Sequence, residues 1–233
     1  MRTTMMIFVA VGLVIQPGMT STGKAAEPAR IRVACIGDSI TYGFGFTDRE
    51  RDSYPSKLAR LLGKEYDVRN FGVNGATLLK QGTRPYWTQD AYRDALAFRP
   101  DAVIIQLGTN DTNLQTWPEH GREFAGDYVA LIDSFRKLRA DARIFVCLPP
   151  PLFRDRGKEY DTDALLSREI LLQIKDVARR CQAAVIDVNA AVADKSSMFP
   201  DGVHPNAAAT DVIAGAVHQA IIQQVAHCST SGK

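Results

Sequence analysis

Short β-branched runs alternate with stretches of helical period along most of this chain. Ile31 to Ile36 is apolar and short, the mark of a buried strand. Tyr54, Leu58, Leu61 and Leu62 then recur at helical spacing. Tyr66 to Phe71 reads as a second, weaker strand and Ala102 to Leu107 as a third, announced by Arg99, Pro100 and Asp101. Phe124, Tyr128, Leu131, Ile132, Phe135 and Leu138 mark one face of a long helix. Arg143 to Leu148 is a fourth strand, stopped by Pro149, Pro150 and Pro151. Leu166, Ile170, Ile174 and Val177 mark another helix, and Val185 to Val188 a fifth strand. Val212, Ile213, Ala216, Val217, Ala220 and Ile221 place a final helix. Such alternation predicts an α/β fold: a three-layer α/β/α domain on a five-stranded parallel sheet. No repeat, linker or shift of composition interrupts residues 30–225, so residues 27–233 read as a single domain. A domain of this length buries roughly 70% of the surface its unfolded chain exposes, and needs no disulfide or metal scaffold.

The first 26 residues read differently. Arg2 gives a positive start, and Met5 to Ile15 is an eleven-residue run without a polar side chain. Gln16, Pro17 and Gly18 break it, and small residues follow to Ala26. That layout predicts a secretory signal over residues 1–26, cleaved between Gly23 and Ala26. As a helix the run spans about 16 Å, against a hydrocarbon core of about 30 Å, so it does not predict a membrane span. An exported protein, periplasmic or secreted and free of the membrane after cleavage, is the expectation.

Export permits disulfides. Cys35 and Cys147 lie inside apolar runs and read as small core residues, while Cys181 and Cys228, near the ends of predicted helices, could pair. No C-x-x-C spacing supports a zinc site. Charge excludes other classes. Without Arg2 and Lys24, the chain carries 26 basic and 26 acidic residues. Such a balance offers neither a basic surface for nucleic acid nor an acidic tail. Function must come from a local site.

In an open α/β sheet that site lies outside the carboxyl ends of the strands. After the first strand comes Gly37-Asp38-Ser39-Ile40-Thr41-Tyr42-Gly43, which presents a serine at the edge. After the second comes Asn70-Phe71-Gly72-Val73-Asn74-Gly75, where a glycine can offer a bare backbone N–H. The third leads into Gly108-Thr109-Asn110-Asp111, whose asparagine supplies a fixed amide donor and whose aspartate can cap the next turn. Past the fifth comes Phe199-Pro200-Asp201-Gly202-Val203-His204-Pro205. Asp201 and His204 can fold so that the carboxylate meets Nδ1–H and leaves Nε2 free to take a proton. His120, His218 and His227 have no such companion and read as ordinary residues. Together the loops hold a nucleophile, a base, an orienter of the base and oxyanion donors.

The blocks Gly37-Asp38-Ser39, Gly75, Gly108-Thr109-Asn110-Asp111 and Asp201-Gly202-Val203-His204 resemble those of the SGNH or GDSL hydrolases, from about Ile31 to Val225. Ile40 stands where the family name has leucine. The resemblance implies the flavodoxin-like SGNH fold, ester hydrolysis through an acyl-enzyme, and no cofactor or metal. It implies Ser39 as nucleophile, His204 as base and Asp201 as its orienter. Ser39 N–H, Gly75 N–H and the Asn110 side chain would form the oxyanion hole. The G-x-S-x-G elbow of the larger α/β-hydrolase fold is absent around Ser39. The stretch Asn113 to Trp117 and the proline-rich segment are similar to secreted carbohydrate O-acetylesterases of the family, acting on sialate or polysaccharide.

The expected partner is a small-molecule or oligosaccharide ester. Asp38, Asn74, Trp87, Asn113, Trp117 and Phe153 are candidate substrate-binding residues, and Arg84, Gln115 and Arg154 interleave with Tyr42, Phe44, Phe46 and Tyr86 in the same loops. Lysophospholipid or general short-chain ester cleavage is the alternative. From other classes come a divalent-metal phosphohydrolase built on Asp38, Asn74, Asn110, Asp111, Asp201 and His204, and a glycan-binding module without turnover.

Overall fold

A computed structural model describes residues 29–154 and 163–230, with side chains given as far as residue 224. The predicted signal, residues 1–26, lies outside the described residues.

Five strands form one sheet: β1 (Ile31–Gly37), β2 (Tyr66–Gly72), β3 (Ala102–Gln106), β4 (Arg143–Cys147) and β5 (Ala184–Ile186). They lie in the order β2-β1-β3-β4-β5 and every pair is parallel. The period of two decides which face each side chain joins. Ala34, Ile36, Val103, Ile105, Ile144 and Val146 enter one apolar cluster. Val33, Cys35, Ala102, Ile104, Phe145 and Cys147 enter the other. Both faces are covered, so the central strands are apolar throughout.

The short α1 (Ser39–Tyr42) follows β1 directly. α2 (Tyr54–Leu62) and the long α6 (Ala207–Thr230) cover the Cys35 face. α3 (Asp90–Phe98), α4 (Phe124–Leu138) and α5 (Leu171–Arg180) cover the Ile36 face. Helix α3 was not legible in the periodicity, because only Ala95 and Phe98 are buried along it. Leu61 and Leu138 sit on the predicted faces but are exposed. β5 is shorter than its apolar run suggests. Asp187 Oδ1 accepts from Ala190 N–H at 2.8 Å, and Val188 begins a short helix instead of ending the strand.

Cys35, Cys147 and Cys181 are buried free thiols. Cys181 packs in the cluster opposite the one α6 joins, and α6 is the helix bearing Cys228, whose side chain lies outside the described residues. At the amino edge, Ile31, Tyr66, Ala102 and Arg143, which open four strands, share a cavity of about 490 Å³ with Ile221 of α6. Among the described residues no helix is long and apolar enough to cross a membrane.

Strand order reverses around β1: the chain leaves it for β2 on one side and returns to β3 on the other. A crevice opens at such a reversal, outside the carboxyl ends of the strands. The loops after β1, β2 and β3 all border it.

Candidate active site

Asp38 ends the first strand's loop by capping α1: its Oδ1 accepts from Ile40 N–H at 2.9 Å. Gly43 N–H closes the other end on the Ser39 carbonyl at 3.0 Å. Ser39 is thereby fixed as the first residue of a single turn, 7% exposed. The chain after β2 is pressed against this turn. Asn70 Nδ2 donates to the Thr41 carbonyl at 2.8 Å, Val73 N–H donates to Gly37 at 3.0 Å, and a Cβ on Gly72 would run into the backbone nitrogen of Tyr42. Three residues beyond Gly72, Gly75 has φ +72°, a backbone conformation that favours glycine, and it is exposed. From the third loop Asn110 Nδ2 donates to the Ala76 carbonyl at 3.1 Å, which sets its amide beside Gly75 and leaves a second N–H on the same nitrogen.

The last loop supplies the imidazole. Asp201 Oδ1 accepts from the N–H groups of Val203 at 2.9 Å and His204 at 2.7 Å, and Oδ2 lies 2.6 Å from His204 Nδ1. A carboxylate at that distance assigns the proton to Nδ1 and makes Nε2 an acceptor. Ser39 Oγ lies 2.9 Å from Nε2. Partial burial opposes charge on Asp201, but the bonds from the His204 ring and backbone and from Val203 outweigh it and pull the carboxyl down to about 2. Phe44 leans on the imidazole, ring centroids 4.5 Å apart. A cavity of about 290 Å³ opens beside it, between Phe44, Phe46, Pro200 and Pro205. Such a site can abstract a serine proton.

The structure gives most of the expected substrate residues other partners. Trp87 donates its Nε1–H to the Leu78 carbonyl at 2.9 Å, with Lys80 Nζ 4.4 Å from its ring, so it braces the segment after Gly75. Trp117 is buried, donates to Glu169 at 2.9 Å and borders a separate cavity of about 630 Å³ with Leu114, Arg122 and Arg168. Asn113 folds back on Gln115 N–H at 2.8 Å. Phe153 stacks on Phe199 at 4.9 Å and its N–H donates to the Gly202 carbonyl, which props the Asp201–His204 loop. Asn74 is half-buried, next to Gly75. Asp111 caps no local turn: its two oxygens accept from Leu78 and Leu79 N–H at 2.9 and 2.8 Å. Of the carboxylates proposed for a metal reading, Asp111 is thus turned wholly onto backbone N–H groups, and Asp201 is shared between backbone N–H groups and the His204 ring. Sequence reasoning missed Phe44 as the partner of His204, for lack of any local signal.

The fold and these contacts define the class, a three-layer α/β domain with a serine, a histidine and an aspartate joined at the carboxyl edge of its sheet. Residues 35–212 match the GDSL-like Lipase/Acylhydrolase family, and the chain belongs to it. An acetylxylan esterase of Xylanibacter ruminicola is 38% identical over 200 residues, covering 78% of this chain and 41% of that protein. This chain therefore spans less than half of that relative's length. Among solved structures, the carbohydrate acetylesterase Est24 of Sinorhizobium meliloti superposes with a TM-score of 0.65 at 20% identity, over 84% of this chain and 100% of that one. An aryl esterase of M. smegmatis gives 0.66 at 19% identity, over 83% and 99%. At these identities the superpositions establish the shared fold.

Proposed function

We propose that this protein removes acetyl groups from sugar hydroxyls, outside the cytoplasm, by a Ser39-His204-Asp201 mechanism. The observation that carries the mechanism is the unbroken chain from Ser39 Oγ to His204 Nε2 at 2.9 Å and from Nδ1 to Asp201 at 2.6 Å. Ser39 Oγ attacks the ester carbonyl while its proton passes to Nε2. The tetrahedral oxyanion takes hydrogen bonds from Ser39 N–H, Gly75 N–H and the free N–H of Asn110. Collapse breaks the C–O bond to the sugar, and the imidazolium returns the proton to the leaving alkoxide. Water, deprotonated by His204, then hydrolyses the acetyl-serine. Asp201 stays ionised and stabilises the imidazolium.

Acetyl as the acyl group is supported by the name of the 38%-identical relative. Export is supported by the signal-like Met5 to Ile15 run. The test is acetate release from acetylated xylan, pectin and sialic acid, beside p-nitrophenyl acetate and a lysophospholipid, with Ser39→Ala as blank and EDTA in a parallel arm. Acetate from a polysaccharide, insensitive to EDTA and absent in the variant, is the expected result. Turnover of the lysophospholipid alone would replace the substrate reading, and loss of activity in EDTA would replace the mechanism.

A further inference from the structure

The segment bearing Gly75 is tied down at four points, and three of the ties come from two neighbouring residues of the third loop. Asn110 Nδ2 donates to the Ala76 carbonyl at 3.1 Å. Asp111 Oδ2 and Oδ1 accept from Leu78 and Leu79 N–H at 2.9 and 2.8 Å. Asp127, on α4, accepts from Lys80 N–H at 2.9 Å and pairs with Lys80 Nζ at 3.1 Å. Three consecutive backbone N–H groups therefore end on two carboxylates. Asp111 is wholly buried, and the described hydrogen bonds give its oxygens backbone N–H groups in place of a cationic side chain. Burial pushes its carboxyl up to about 7 against the pull of the two N–H bonds, with the Asp38 charge adding to the rise. Closing a turn does not require so costly a group, since one amide oxygen would satisfy one donor. What a carboxylate alone adds is two acceptors on one rigid plane, aimed at two adjacent N–H groups.

We infer that Asp111 is a positioning residue for hydrolysis: it locks the Gly75 segment to Asn110, so that both oxyanion donors converge on one point. The inference rests on the Ser39 mechanism proposed above. Oxyanion donors must come within about 3 Å of the developing charge, and a displacement of about 1 Å can cost on the order of 100-fold in rate. Releasing Leu78 or Leu79 lets Gly75 drift while the serine and imidazole, held by other loops, stay in place.

The test is Asp111→Asn, which keeps the shape and leaves a single acceptor. We expect kcat on p-nitrophenyl acetate to fall about 30- to 100-fold with KM within about twofold, at a temperature well below the variant's Tm. In an Asn110→Ala background the same substitution should cost less than about fivefold, because both act on one pair of donors. A folded Asp111→Asn with kcat within about threefold of the parent, or losses that simply multiply with Asn110→Ala, would overturn the inference. Should Asp111→Asn fail to fold, Asp111→Glu, which keeps both oxygens but moves them by one methylene, is read in the same way. Ser39→Ala runs beside them: its residual turnover judges the mechanism, whereas the Asp111 variants judge the positioning.

Discussion

Ser39 and His204 stand 165 positions apart in the chain, and their Oγ and Nε2 atoms meet at 2.9 Å. Neither is placed by the other. Ser39 is set by its own helix turn under the Asp38 cap, and His204 by the Asp201 carboxylate and the Phe44 ring.

Ser39→Ala removes the proposed nucleophile and leaves a buried cap turn intact. Turnover of p-nitrophenyl acetate should fall by about 10⁴-fold or more with no loss of Tm beyond about 2 °C. A fluorophosphonate should label the parent at Ser39, read by peptide mass spectrometry, and leave the variant unlabelled.

Asn110→Ala should lower kcat by roughly 10²- to 10³-fold while KM changes little, since the oxyanion bond strengthens in the transition state. Steady-state kinetics separate the two. A large rise in KM at constant kcat would make Asn110 a binding residue.

Asp201 carries a pH signature. Its carboxyl is held at about 2, below the unfolded value near 4. Its stabilising contribution is therefore complete above pH 4 and disappears as pH falls from about 4 to about 2. Denaturant unfolding of the parent and Asp201→Asn should give a stability gap that is level from pH 5 to 8 and closes in that acid window. A gap that widens on acidification would contradict the assignment. Activity of the same variant should drop by about 10³- to 10⁴-fold at pH 7, as expected when an imidazole loses the carboxylate that fixes its tautomer.

Trp87→Phe distinguishes a sugar platform from a brace. The variant loses the hydrogen bond to the Leu78 carbonyl but keeps an aromatic face. We expect a loss of about 1 kcal/mol of stability and a KM for acetylated xylo-oligosaccharide within about twofold of the parent. A several-fold rise in KM at unchanged Tm would restore the substrate role.

What could be read from the sequence was whatever depends on near neighbours or on strand ends. Ser39 and Asn110 each follow a short apolar run, Gly75 follows a weaker strand, and Asp201 and His204 lie within one turn of each other. A parallel sheet brings such edges together without further instruction. What could not be read depends on partners distant in the chain. Trp117 looks like a solvent-facing aromatic until Glu169, 52 positions on, takes its N–H. Asp111 looks like a cap until its oxygens reach Leu78 and Leu79, more than 30 positions back. Helix α3 escaped because it presents little apolar surface. Val188 looked like strand because its run is β-branched, and the neighbouring Asp187 carboxylate diverted the backbone.

The cavity that Ile221 shares with the first residues of four strands marks the edge of the sheet opposite the one where Ser39 meets His204. β1 starts on that floor at Ile31 and delivers Ser39 to the other edge, a full strand length away.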